Sequence, residues 1–154
     1  MVNTDPTQGR SRWMAVLAKA PLPLLEAQVE QLGTLPEYGF LRSPEIGLAM
    51  VRGRAEGDGQ PFNVGEMTIT RCVVQLASAE TSTAGFGYVA GRSQRHAELA
   101  AVCDALLQHP DWQATVQTQV IEPLYAAAIA QQSEEAAAVE STRVNFFTLL
   151  RGEG

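Results

Sequence analysis

The spacing of apolar residues changes once along the chain, near Gly91, and this change constrains the fold more than any other feature. Over residues 38–91 apolar and polar side chains alternate, which is the two-residue period of a β-strand. Over residues 93–140 apolar side chains recur every three or four residues, which is the period of an α-helix. Because strands and later helices occupy separate stretches, the sequence predicts an α+β fold.

Turn residues divide the alternating stretch into three strands. The segment AEGDGQP (55–61) predicts a hairpin loop, and SAETSTAG (78–85) predicts a turn before a short strand at 86–91. Sequential strands joined by short turns favour an antiparallel sheet. In the two long strands the apolar residues fall on alternating faces, with Ile46, Leu48 and Met50 on one face and Met67, Ile69 and Val73 on another.

Helices are predicted before and after the sheet in the sequence. Two short helices at 10–20 and 21–33 precede it. A helix at 93–109 follows it, with Ser93 as the N-cap and Pro110 as the stop. The apolar stripe of this helix comprises Leu99, Val102, Cys103, Leu106 and Leu107.

The C-terminal part of the chain is predicted to dock on another surface. Segment 111–140 reads as helical, with a kink or break at Pro123 and an alanine-rich second half. Chain ends are usually polar, whereas residues 143–154 hold a dense apolar cluster. We therefore expect a disordered lead-in at 1–9 and one domain at 10–154. Its terminal segment docks on its own core or on a partner through Arg143, Val144, Phe146, Phe147, Leu149 and Leu150.

Composition argues against several classes of function. The net charge of −6 disfavours a nucleic-acid backbone as the main partner. No apolar run approaches the roughly 20 residues of a membrane-spanning helix, and the polar start lacks the apolar core of a signal peptide, so we expect a cytoplasmic protein. Cys72 and Cys103 lie in apolar runs and show no metal-binding spacing, so we expect neither metal nor cofactor.

Sequence motifs of catalysis are not found either. The single lysine, Lys19, does not follow the glycine pattern of a phosphate-binding loop, and no serine lies in a Gly-x-Ser-x-Gly motif. The glycines of GFGYVAG (85–91) fall in a strand pattern, where glycine usually marks a bulge or a close backbone approach. We therefore assign no catalytic residue.

The stretch GYVAGRSQRHAE (87–98) is the one candidate site. It places Arg92, Arg95 and His96 at the N-terminus of a predicted helix, where the helix dipole and free N–H groups favour an anion. Helical geometry aligns both Arg95 and His96 with apolar positions, so both are expected to lean toward the buried side. Four interpretations stay open: an anion site, a clamp on carboxylates of a partner, a catalytic base, or a buried histidine beside two surface arginines.

Several segments together resemble a known family. RWMAVLA, the stretch from EIGLAMVRGRAEGDG to RCVVQL, GYVAGRSQRHAELAAVCDALLQ and the terminal STRVNFFTLLRG resemble the phosphonate-utilisation protein PhnG, the G subunit of the carbon–phosphorus lyase core complex. The resemblance runs in order from about residue 12 to 152. The combination of the glycine–arginine–histidine helix start with the Arg-Val-x-Phe-Phe ending is its most specific part.

The resemblance implies an accessory subunit. It implies a two-fold symmetric complex with two copies each of the G, H, I and J subunits. The I subunit, assisted by G, H and L, would form α-D-ribose 1-methylphosphonate 5-triphosphate from ATP and methylphosphonate. The J subunit, an iron–sulfur radical enzyme, would later break the carbon–phosphorus bond. The alternatives are an autonomous small enzyme, or a module that binds a phosphorylated ligand through Arg92, Arg95 and His96.

Overall fold

A computed structural model describes residues 6–77 and 82–144 of the chain. Within these ranges helices precede and follow a three-stranded antiparallel sheet, which confirms the predicted α+β fold. The elements are α1 (Pro6–Lys19), α2 (Leu22–Gln31), β1 (Tyr38–Arg54), β2 (Pro61–Leu76), β3 (Thr83–Ala90), α3 (Gln94–Leu107), α4 (Pro110–Val116) and α5 (Glu122–Ser141).

The sheet has the strand order β1-β2-β3, and each strand pairs antiparallel with the next. The predicted hairpin loop is present between β1 and β2, where Gly57 adopts a positive φ of 84°. β3 begins at Thr83, earlier than the expected 86, because Thr83 pairs with Leu76 at the end of β2. The turn expected at 78–85 is therefore shorter than predicted, and residues 78–81 lie outside the described residues.

Two helix boundaries also differ from those expected. α1 begins at Pro6, inside the stretch expected to be a disordered lead-in, and proline is well tolerated in a first helical turn. The break expected at Pro123 takes the form of a π-helical turn at Gln117–Ile121, immediately before α5. Pro123 has no N–H to donate to the helical hydrogen bonds, and a wider π-helical turn just before it accommodates this gap. α4, this turn and α5 thus follow one another without a loop.

α3 lies at the centre of the molecule. Eleven of its residues are buried, so the single apolar stripe predicted for it was too narrow. The sheet covers one side of this helix, and α1, α2 and α4 contact the others. The alanines of α3, which carry little signal in a sequence, are therefore core residues in the same way as its leucines.

The contact between α3 and β3 depends on two glycines. A Cβ atom at Gly85 would overlap the backbone oxygen of Ala101, and one at Gly87 would overlap the backbone oxygen of Ala97. The helix backbone therefore lies directly on the strand backbone, which confirms that these strand glycines mark a close approach. Thr70, Cys72 and Val74 of β2 continue the buried face beside them.

The outer half of the β1–β2 hairpin has no third strand. β3 ends opposite Ile69, so residues 47–68 form a two-stranded ribbon, named the ribbon below. None of residues 47–68 is buried. The alternating apolar pattern correctly predicts these strands, but in the ribbon both alternating faces are exposed to solvent.

The free edge of β1 is irregular. Its pairing with β2 shifts register between Phe40 and Arg42, again between Arg42 and Glu45, and once more between Val51 and Arg52. Pro44 lies inside the second shift, and a proline is tolerated there because it removes a donor only from an edge strand.

We predict that Gly85→Ala lowers the free energy of unfolding by about 3 kcal/mol, because the added methyl group forces the helix and strand backbones apart. Urea denaturation of the purified chain measures the change. Gly39→Ala is the matched control, since no atom lies within 4 Å of the Cβ position at that glycine. Equal unfolding midpoints for the two variants would contradict the close packing of α3 on β3.

Candidate functional site

The candidate site is built where β3 turns into α3. Gly91 adopts a φ of 98°, which L-residues rarely adopt, and this reverses the chain direction after the strand. The Ser93 hydroxyl then accepts a hydrogen bond from the His96 backbone N–H at 3.2 Å, as expected for the predicted N-cap. This geometry fixes the first turn of α3 and the three side chains predicted to act there.

His96 is buried and held by the backbone of another helix. Its Nε2 lies 2.7 Å from the backbone oxygen of Leu17. Because a carbonyl oxygen only accepts, Nε2 must carry the proton and donate it. The imidazole therefore ties the start of α3 to the end of α1.

Arg95 points outward instead of leaning toward the buried side, so that expectation was wrong. Its guanidinium lies 3.6 Å from the Glu26 carboxylate on α2 and 3.3 Å from the Glu98 carboxylate on α3. The side chain is about half exposed, at 53%. One carboxylate from α2 and one from α3 itself thus already pair with this arginine.

Glu98 extends this polar cluster toward the sheet. It accepts a hydrogen bond of 2.6 Å from the Tyr38 hydroxyl at the start of β1. Burial, assisted by the adjacent Glu98 carboxylate, raises the pKa of Tyr38 to about 12. The phenol stays protonated at neutral pH and acts as a donor that joins the sheet to α3.

Arg92 differs from both neighbours, because it is exposed and makes no hydrogen bond or ion pair within residues 6–77 and 82–144. The structure therefore separates the three predicted residues. His96 lies inside the fold, Arg95 is paired at the surface, and Arg92 faces solvent.

Among the described residues, sequence reasoning missed the side chain with the most hydrogen bonds, Asp104. This carboxylate is fully buried and accepts hydrogen bonds from α1, from β3 and from Gln108 just after α3. Its donors are Arg10 Nη2 at 2.7 Å, Arg10 Nε at 3.1 Å, Trp13 Nε1 at 2.9 Å, the Phe86 N–H at 3.0 Å and Gln108 Nε2 at 3.3 Å. The available signal was a lone acidic residue inside the apolar run AAVCDALL (100–107).

The cysteines are free and buried. Burial raises the pKa of Cys72 to about 11 and that of Cys103 to about 12, so both thiols stay protonated at neutral pH. A protonated thiol is a poor nucleophile and a poor metal ligand. The part of the chain that the structure describes contains no cluster of three or more side chains suited to a metal ion.

The predicted docking residues fall at the end of the described chain. Apart from the half-buried Ala127, α5 is exposed from Tyr125 onward, and Val139 and Val144 show 70% and 68% of their surface to solvent. Arg143 follows the end of α5, is exposed and lies 3.2 Å from the Glu140 carboxylate of that helix. The other docking residues, Phe146, Phe147, Leu149 and Leu150, lie outside the described residues.

The helices within residues 6–77 and 82–144 include none with the length and apolar character of a membrane-spanning segment.

The protein is a small α+β protein in which the buried Asp104 carboxylate connects helices to the sheet. Its large exposed apolar surfaces are typical of a protein that works in contact with others. The chain belongs to the phosphonate metabolism protein PhnG family, whose model matches residues 8–152. It is 39% identical over 144 residues to the alpha-D-ribose 1-methylphosphonate 5-triphosphate synthase subunit PhnG of Rhizobium meliloti (strain 1021). This match covers 94% of the chain and 90% of the relative, and it confirms the resemblance.

We predict that Asp104→Asn lowers the free energy of unfolding by about 3 kcal/mol. The change removes the negative charge that pairs with Arg10. It also replaces one carboxylate oxygen with an NH2 group, which would point at other hydrogen-bond donors. Urea denaturation measures the loss. Glu140→Gln, which removes one partner of an exposed ion pair, should change stability by less than about 0.5 kcal/mol. An Asp104→Asn variant as stable as the Glu140→Gln variant would contradict the bridging role.

Proposed function

We propose that this chain is a non-catalytic accessory subunit of a bacterial carbon–phosphorus lyase core complex in phosphonate catabolism. In this role it assists the formation of α-D-ribose 1-methylphosphonate 5-triphosphate from ATP and methylphosphonate. The observation that carries the proposal is the match to a relative named as a subunit of the corresponding synthase, which extends over nearly the whole chain.

The polar geometry favours an accessory role over an autonomous enzyme. The His96 imidazole, the only histidine in the helix start, already donates to the Leu17 backbone oxygen. The Asp104 carboxylate is surrounded by structural donors. Both thiols are held protonated by burial. These groups stabilise the fold, so we assign the chemistry to another subunit.

The proposed partners are the H, I and J subunits, in a cytoplasmic complex with two copies of each subunit. Two free, buried cysteines support a reducing compartment. The exposed apolar residues of α5 and its end support assembly, because obligate interfaces are larger and more apolar than transient ones. We further propose that residues 10–154 form one domain, whose segment from Arg143 to Leu150 docks on a partner.

We expect the full chain to co-purify with H, I and J subunits of the same organism at equal stoichiometry. Deletion of residues 143–154 should abolish this, because it removes the terminal apolar cluster while leaving the described core intact. Affinity capture through a tagged I subunit, followed by quantitative mass spectrometry, measures the ratio. Failure of the full chain to join would overturn the proposed function. A truncated chain that joined normally would instead remove the docking role from this segment.

We propose that the helix start, with Arg92 and Arg95 outermost, contacts carboxylates of a neighbouring subunit or a phosphate-bearing ligand. Arg92 supports this because its guanidinium is exposed beside a helix N-terminus. The Arg92→Ala, Arg95→Ala double variant should weaken assembly or ligand affinity about ten- to a hundredfold, measured by calorimetry. Unchanged affinity would leave both residues as ordinary surface arginines.

His96→Gln tests catalysis by the same site, since the longer glutamine amide can still donate a hydrogen bond from the position of Nε2 but cannot titrate. We expect the complex with this variant to assemble and to remain active. A thousandfold loss of turnover with assembly intact would reassign the chemistry to His96.

A further inference from the structure

The ribbon, residues 47–68, concentrates exposed apolar side chains in one element. These side chains are Leu48, Met50, Val51, Phe62, Val64 and Met67. Together their exposed fractions equal about three whole side chains. Single exposed apolar residues are normal on a protein surface, whereas a concentration of them marks an interaction site.

The ribbon also lacks the support that stabilises hairpins in water. A two-stranded hairpin is at best marginally stable on its own. The ribbon extends about 25 Å beyond the third strand, given about 3.4 Å per residue over Gly47–Arg54. Neither a helix nor β3 covers this part, because β3 ends opposite Ile69 and the chain then turns at Gly91. The ribbon therefore has little support from the rest of the described chain beyond its own two strands.

The pairing register places apolar residues on both faces of the ribbon. Leu48 lies opposite Thr68 and Met50 opposite Glu66, so these two apolar side chains share one face. Met67 lies opposite Ala49 and shares the other face with Val51. A flat partner surface would cover one of these faces and leave the other in water. Only a partner that contacts both faces would bury the whole apolar set.

The tip of the ribbon indicates how far such a partner extends. Beyond the irregularity between Val51 and Arg52 lie four charged residues, Arg52, Arg54, Glu56 and Asp58, together with the exposed Phe62. Buried charges need partners, whereas exposed ones do not. The part best suited to burial is therefore the middle of the ribbon, where Glu66 is the one charged side chain.

One apolar groove in the described part of this chain lies between α1 and α5 and has a volume of about 270 Å³. It is bordered by Arg12 and Lys19, and it suits a few side chains rather than a two-sided ribbon. Two copies would have to exchange ribbons reciprocally about a two-fold axis, because a head-to-tail contact produces open filaments unless it closes into a ring. We therefore take a different subunit as the occupant.

We propose that the ribbon inserts between two apolar walls of a different subunit of the complex, which contacts Leu48 and Met50 on one face and Val51 and Met67 on the other. This inference rests on the proposed function, because it requires a heteromeric complex. It adds which element enters the partner and the chemistry of the receiving site: an apolar cleft open at both ends, with polar groups beside Glu66 and where the charged loop emerges.

The test uses one lysine substitution on each face in the full chain, co-expressed with the H, I and J subunits. Leu48→Lys and Met67→Lys each place an ammonium group against an apolar wall, so each should reduce the amount of captured chain at least tenfold. Leu41→Lys is the matched control, because Leu41 lies in the same strand as Leu48 and is similarly exposed at 59%, but lies outside the ribbon. It should be captured like the wild-type chain.

A shortened chain tests the role of the ribbon in assembly independently of the stability of the rest of the fold. Residues 48–68 are replaced by Asn-Gly, which joins the paired residues Gly47 and Ile69 through a two-residue hairpin turn. Because no removed residue is buried, this chain should unfold at the wild-type urea midpoint, stay soluble at higher concentration, and fail to join the complex.

These experiments distinguish failure of the ribbon proposal from failure of the proposed function. A wild-type chain that does not co-purify would overturn the proposed function and this inference with it. If the wild-type chain joins, normal capture of both lysine variants or of the shortened chain would overturn the inference alone. Loss with only one lysine variant would show docking on a single face and reject the cleft. Loss of self-association in sedimentation, with the complex intact, would identify a second copy of the chain as the occupant.

Discussion

The backbone contact between α3 and β3 is the constraint on which the rest of the structure depends. Gly85 and Gly87 have no side chains, so the helix lies against the strand at a distance that no other residue permits. Asp104 can then reach the Phe86 N–H on the strand edge and still bind Arg10 and Trp13 of α1. Close packing of small residues therefore allows one carboxylate to fix a helix, a strand and a second helix together.

The polar residues of this protein are used for architecture, which agrees with a role in assembly. His96 connects α3 to the end of α1, while Asp104 connects α3 to the start of the same helix. The two attachments hold α1 at both ends. His96, which the sequence offered as a candidate base, therefore helps to set the position of a helix. Much of the exposed apolar surface lies on the ribbon and on α5.

The sequence predicted the fold class and most elements, because periodicity and capping are local. Ser93 and the 55–61 loop both act where the pattern placed them. Long-range relations were not predictable. Asp104 binds Arg10, which is 94 residues away, and Arg95 faces a carboxylate on α2, so neither arrangement leaves a local trace. The alternation of apolar and polar residues in a sequence is the same whether a strand face is buried or exposed to solvent. The exposure of the ribbon was therefore not predicted.

The irregular edge of β1 has a consequence for the life of the subunit before it assembles. A long, regular edge strand is a template onto which identical chains add and form fibrils. In β1 the register shifts and Pro44 interrupt the row of backbone donors and acceptors at several points. The free edge of β1 is therefore a poor template for further copies of this chain. While the subunit waits for its partners, fibril growth from this edge is disfavoured even though the ribbon exposes apolar side chains.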